Sequence, residues 1–307
     1  MTYAVSGLIQ ASDYNGFVGT TAVNAAYADN AAAQNKVAAL IGVGYGTRGY
    51  GQTTTNVAAV TAGVNVSAGQ WNNLRSAMST LNTHQGSSLT LQPVVASGGT
   101  ILYQSSIPTN ITTLDTNRNL ANITQMTVSS ALTSTTTSWS SVVTNVLTVN
   151  FSTPDAARYF FNSGGEIRFS GSNVGGTAPG AAAWASLLTL VGTVKLGAST
   201  ATYTGSGGTI TNNIGYYGLT TAYQEIFIHY GSGAYSGIYY SIQVKTNATG
   251  SANGGNGSLI TVTITFNDVA AYGYGAVDGT TSSYVDQYKA GGVLTIASPI
   301  YTTVTPI

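Results

Sequence analysis

The chain has 307 residues, with nine Lys and Arg against nine Asp and Glu, two His and no Cys, so its net charge is zero. Only 6% of its residues are charged, against about 25% in an ordinary soluble domain. Scattered basic residues and overall neutrality exclude a nucleic-acid surface, which needs clustered Lys and Arg, and the lack of cysteine excludes a disulfide framework or a thiolate metal site.

Met1–Ser6 has neither a basic n-region nor an apolar h-region, so no signal peptide is read and synthesis in a cytoplasm is expected. Ala22–Ile41 is alanine-rich and suits a helix, with Val23, Tyr27, Val37 and Leu40 as its apolar positions. Gly42–Gln52 follows, carrying Gly42, Gly44, Gly46, Gly49 and Gly51, a density that forbids a regular element. It lacks the Gly-Lys-Ser/Thr end of a phosphate-binding P-loop, and no strand precedes it to complete a dinucleotide fingerprint. A tyrosine–glycine loop packed against a neighbour is the favoured reading. Ser67–Gln85 predicts the clearest helix: Ser67 and Gln70 form a capping box, and Trp71, Leu74, Met78 and Leu81 share one face. Gly86 stops it, and His84 in the last turn complements the helix dipole if protonated.

Pro93 and Pro108 punctuate a connector, in which Val94–Ala96 and Ile101–Tyr103 flank Gly98-Gly99 as a predicted hairpin. Asn110–Val128 is polar and has no clear period. Ser134–Ser138 is a Ser/Thr run leading into Val142–Phe151, which reads as a strand.

Ser152–Ser172 holds Asp155, Arg158, Glu166 and Arg168 in a chain that otherwise avoids charge. Thr153 suits an N-cap, Pro154 the first helical position and Asp155 the positive end of the helix dipole. Gly164-Gly165 ends the helix, and Glu166–Phe169 alternates polar and apolar as a half-buried strand does. An acid/base site and an ion-pair network both fit these charges, and the network, locking helix to sheet or subunit to subunit, is favoured. Ala181–Val191 predicts a second helix, bearing Trp184, Leu187, Leu188 and Val191. The apolar run from Ala181 to Val194 has 14 residues, short of the roughly 20 a membrane span needs. Beyond Thr193 the pattern turns to strands. Tyr223–Tyr230 is one, and Gly237–Asn247 and Leu259–Asp268 flank the Asn253–Gly257 turn as an antiparallel pair. Val293–Val304, followed by Pro306 and containing Pro299, suits an edge strand.

The fold class is therefore α+β: an N-terminal helix-containing region (1–92), a connector with a hairpin (93–128), and a β-rich C-terminal domain (129–307) with an antiparallel sheet or sandwich and helices near 154–163 and 181–191. No catalytic residue, metal site or cofactor is assigned. The two His lie far apart in sequence, no Gly-x-Ser-x-Gly elbow occurs, and nine carboxylates offer chance glycosidase-like pairs in any fold. The assembly candidates are Asp155, Arg158, Glu166 and Arg168. Tyrosine is enriched, 20 against 7 Phe, and Tyr45, Tyr50, Tyr217, Tyr230, Tyr272 and Tyr274 sit beside glycine as candidates for subunit contact or glycan stacking. Near-neutral surfaces associate, so the chain is expected to work assembled with copies of itself, a trimer or hexamer being the expected state. A secreted, aggregation-tolerant β-protein is the plainer alternative.

Ala157–Ser170 resembles a segment of virion structural proteins from tailed bacteriophages, notably cyanophage-like ones. Ile9–Asn15, Gly49–Gln52 with Val66–Gly86, and Asn253–Asp268 with Val277–Thr280 are similar to the same proteins. The resemblance implies a component of the tail, baseplate or fibre, located in the virion, with itself and other virion proteins as partners and with no membrane insertion. A receptor- or glycan-binding tail module and a tail-associated polysaccharide hydrolase are the alternatives.

Overall fold

The computed structural model describes residues 8–19, 35–53, 56–250, 253–268 and 276–304. The protein is mixed α+β: helices lead, and two five-stranded antiparallel sheets follow.

Helices α1 (Ala11–Val18), α2 (Val37–Ile41), α3 (Ala68–Gln85) and α4 (Ser106–Thr116) pack on one another. The structure bears out α3 in detail. Ser67 and Gln70 form the capping box, and Gly86 ends the helix in the left-handed conformation at φ 69°. Trp71, Leu74, Met78 and Leu81 are buried, each aliphatic side chain contributing roughly 1.5–3 kcal/mol. Of the expected Ala22–Ile41 helix, Val37–Ile41 is helical, and residues 22–34 lie outside the described residues. The expected connector hairpin forms only a turn: Gly99 N–H donates to Ala96 O, and Leu102 pairs with Leu8 instead of with a strand before the turn. The polar stretch after it hides α4, whose Ile107, Ile111 and Leu114 are buried at helical spacing. Pro108 sits in its first turn, where a missing N–H costs little.

Sheet 1 has the order β1-β9-β3-β4-β5, with β1 Met126–Trp139, β9 Val277–Ala290, β3 Glu166–Val174, β4 Val194–Leu196 and β5 Ala201–Tyr203. Sheet 2 has the order β10-β2-β8-β7-β6, with β10 Ile300–Val304, β2 Val142–Asn150, β8 Leu259–Asn267, β7 Tyr239–Thr246 and β6 Gln224–Tyr230. The predicted β7–β8 pair is present, in register from Tyr239↔Asn267 to Thr246↔Ile260. The final strand is an edge as expected, but it is confined to Ile300–Val304.

The two sheets meet through aromatic packing and a polar seam. The rings of Trp139 and Phe266 lie 6.4 Å apart. Within sheet 1, Trp139 Nε1 and Asn173 Nδ2 each donate to Thr281 Oγ1 at 2.8 Å on its inward face. Asn145 joins Ser134 to Ser283, both at 3.1 Å. Helix α6 (Pro179–Val191) packs on β3 and brings Trp184 to 5.3 Å from Trp139. Its N-cap, Ala178, has no side chain able to cap, so Asp278 of β9 supplies one, accepting from the N–H groups of Thr177 and Ala178. Helix α5 (Pro154–Asn162) buries Ala157, Phe160 and Phe161, the last stacked on Tyr216 at 4.6 Å. A single apolar cluster runs from α1 through both sheets.

Candidate functional site

The charged cassette builds its site on α5. Thr153 Oγ1 caps the helix by accepting from Ala156 N–H, and Pro154 occupies the first turn. Arg158 and Asn162 follow one turn apart on the same face, turned toward the loop 42–49. Arg158 is fully buried. Its Nη1 donates to Gly46 O at 2.7 Å and Arg48 O at 3.1 Å, its Nη2 to Val43 O at 2.9 Å and Gly44 O at 3.3 Å. Nε donates to Asp155 Oδ1 at 3.0 Å. A guanidinium carries five N–H donors, and all of them are engaged by the chain itself. Asn162 Nδ2 adds bonds to Gly46 O and Gly49 O. Tyr217 Oη lies 2.6 Å from Gly46 O and 2.7 Å from Asn162 Oδ1, and its single proton serves one of these acceptors at a time.

Glycine is what lets the loop present its carbonyls inward. Gly49 has φ 99°, and a Cβ there would run into Val43 O. The Asn253–Gly257 turn closes the other side of the site. Asn253 Nδ2 donates to Asp155 Oδ2 at 2.5 Å, and Gly46 N–H donates to Asn253 O at 2.8 Å. A Cβ at Gly255 would come within 2.6 Å of Arg158 Cγ. Tyr216 Oη then bridges Asn256 N–H and Gly257 O, and burial pushes its phenol up to about 12.

Glu166 and Arg168 are not part of this cluster. They pair with each other at 2.7 Å on the outward face of β3, and Arg168 lies 3.8 Å over the Tyr288 ring. A second ion pair sits beside the glycine loop, where Arg48 meets Asp115 in a two-point bond of 2.7 and 3.1 Å. Sequence reasoning missed that pair. Its one signal was an arginine inside a loop of glycines.

The tyrosines divide sharply. Tyr50 is 1% exposed, donates to Arg118 O and accepts from Gln85, and burial raises its phenol. Its ring therefore offers no face to a ligand or a subunit, which corrects its reading as a stacking residue. Tyr45 and Tyr217 are half-buried against the Arg158 loop. Tyr230 is exposed and packs beside Tyr239 on the outer face of sheet 2. Tyr272 and Tyr274 lie outside the described residues. Tyr223, unremarked in the sequence, is exposed on the same face as Tyr230, with Lys245 Nζ 4.3 Å from its ring centre.

His84 is fully buried, and its Nε2 lies 3.1 Å from Ser163 O, at the end of α5. A carbonyl only accepts, so Nε2 carries the proton and Nδ1 is left without a partner. Burial lowers its pKa to about 4. The ring is thus a neutral core contact near pH 7, and the condition for it to complement the dipole of α3, a protonated ring, is not met there. Among the described residues no three His, Asp or Glu are grouped closely enough to hold a metal, and no helix is long and apolar enough to cross a membrane.

The chain matches no known protein family, no curated protein and no solved structure. The geometry itself describes a lock. Arg158 and Asn162 convert a loop without regular hydrogen bonding into a rigid wall by occupying its carbonyls, and Arg158 has no N–H left for a substrate.

Proposed function

We propose that this chain is a structural component of a tailed-bacteriophage virion, of the tail-fibre or baseplate type, which works as an assembly of identical copies. The observation that carries this reading is where the few charges go. Arg48 is held by Asp115, Arg158 by Asp155, Arg168 by Glu166, Arg75 by Gln92 O and Lys289 by Ile296 O. Asp278 caps α6. Much of the charge is thereby engaged within the chain, and with only 6% of residues charged the surface is dominated by uncharged side chains. Such a surface has little repulsion to keep copies apart. The resemblance of Ala157–Ser170 to virion structural proteins supports the same reading.

Light scattering on the purified chain across a concentration series, with electron microscopy of the same sample, tests it. Discrete oligomers are expected. A strict monomer at high concentration, in the absence of any partner, would sink it.

One observation favours a second reading, a glycan-binding tail module. Tyr223 and Tyr230 are exposed on one face of sheet 2, beside Gln243 and Glu225, which pair across β6 and β7. Aromatic faces with amide and carboxylate neighbours suit sugars. A glycan-array signal removed by Tyr223→Ala together with Tyr230→Ala is the expected result of that reading.

A further inference from the structure

The two sheets have four outer strands, and they are guarded unequally. In sheet 2, the edge of β6 is covered: Thr209 and Ile228 exchange backbone bonds, and Thr211 N–H donates to Ile226 O. In sheet 1, β5 has three residues. β10 has five. β1 has 14 residues, and among the described residues its outer side pairs with nothing. Proteins usually blunt such an edge with Lys, Pro or inward charge. Met126–Trp139 contains none of these. Its only irregularities are bulges near Ala131 and Ser138, and Leu132–Thr137 between them is in continuous register with β9.

The neighbourhood of this edge is apolar as well as open. Gln287 Nε2 donates to Ser129 of β1 and to Ser298, just before β10, so the first part of β1 lies beside the start of β10. Ile123, Val128, Ile300 and Val304 are all exposed along these segments, Ile123 at 76% and Ile300 at 68%.

We propose that β1 pairs antiparallel with β1 of a second copy of this chain about a two-fold axis, joining two five-stranded sheets across the contact. This deepens the assembly reading above and rests on it. Three points select the occupant. A row of alternate free N–H and C=O groups is matched only by another extended strand. An isologous contact demands a self-complementary segment. Leu132–Thr137 reads Leu-Thr-Ser-Thr-Thr-Thr, so near its centre a two-fold register sets hydroxyl against hydroxyl, and with no charge in β1 no register opposes like charges. Thr–Thr and Thr–Ser pairs across strands are favourable. Val128, exposed on β1 itself, loses water when the contact forms. The unit is then a dimer, which builds a hexamer as three pairs but excludes an isolated trimer.

The absence of cysteine makes the test direct. Single-cysteine variants at Thr133, Thr135 and Thr137, and a control at Thr148 on the outer face of sheet 2, are treated with a short bis-maleimide. In parallel, Thr133→Lys combined with Thr135→Lys is followed by sedimentation. Cross-linking confined to the β1 positions is expected, with a dimer dissociation constant raised about a hundredfold by the lysines, since like charges facing each other in a contact cost several kcal/mol. Oligomers that ignore the lysines and do not cross-link through β1 would overturn this pairing and leave the assembly reading standing. A monomer under all conditions would overturn both. The cross-linking arm uses small substitutions at exposed positions, so it remains decisive if the double lysine variant folds poorly.

Discussion

Arg158 and Asn162 converge on one atom, the carbonyl oxygen of Gly46, at 2.7 and 3.0 Å. Two side chains a helical turn apart thereby pin the same peptide of a distant loop, and Tyr217 Oη closes on it from a third direction at 2.6 Å. The loop is fixed by side chains reading its backbone, and its own sequence contributes mainly the glycines that leave room.

Arg158→Ala is expected to destabilise the fold by about 3–5 kcal/mol, because the buried carbonyls of residues 43–48 lose their donors together. Asn162→Ala should cost less, about 1–3 kcal/mol. Since both act on Gly46 O, the double variant should cost less than the sum. Urea unfolding of the three variants measures this, and strict additivity would show that the two side chains act independently.

His84 predicts an acid-sensitive fold. Its folded pKa is depressed to about 4 from an ordinary 6.5. The unfolded chain therefore binds the proton first, and stability falls as pH drops below 6.5, the loss being complete below about 4. At pH 5 the loss is about 2 kcal/mol. His229, also lowered by burial, adds in the same direction. Comparing urea midpoints at pH 7 and pH 5 for the wild type and His84→Gln checks this: the variant should lose most of the difference.

Two tyrosines should respond oppositely to loss of the hydroxyl. Tyr240 Oη is buried with no hydrogen-bond partner, so Tyr240→Phe should be neutral or stabilising by about 1 kcal/mol. Tyr216 Oη bridges two backbone groups of the 253–257 turn, so Tyr216→Phe should cost about 1–2 kcal/mol. Denaturant melts on the pair provide the sign of each.

Asp278 is held below the usual carboxylate range by the N–H groups of Thr177 and Ala178. Its contribution is present above the unfolded carboxylate pKa and is lost as pH falls through the lower folded value. Asp278→Ala should lower Tm at pH 7, and the gap from wild type should close as the solution is made strongly acidic. A gap unchanged by acid would mean that the charge is not what caps α6.

Much of this was legible from residues alone where local chemistry is self-contained. Ser67 with Gln70, and Thr153 with Pro154, announce their helices because cap and partner lie within three residues. β1 and β9 were not legible. Their Ser/Thr-rich stretches show no apolar alternation, because the side chains they turn inward include Thr281 and Ser283, which are buried through hydrogen bonds instead of through hydrophobicity. The Arg158 cluster was visible as a local excess of charge. Its partners were not, because a backbone carbonyl has no letter in the sequence. Tyr50 and Tyr230 both sit beside glycine, yet one is sealed inside and the other open to solvent, a difference set by tertiary packing that adjacency to glycine does not encode.

The hydroxyl and amide contacts between the sheets have a mechanical consequence. Two greasy layers can glide over each other with little penalty, since dispersion has no preferred direction. Here, displacing one layer by a single residue would part Asn145 of sheet 2 from Ser134 and Ser283 of sheet 1, so the alignment is notched. The sandwich should yield to separation of its layers before it yields to shear.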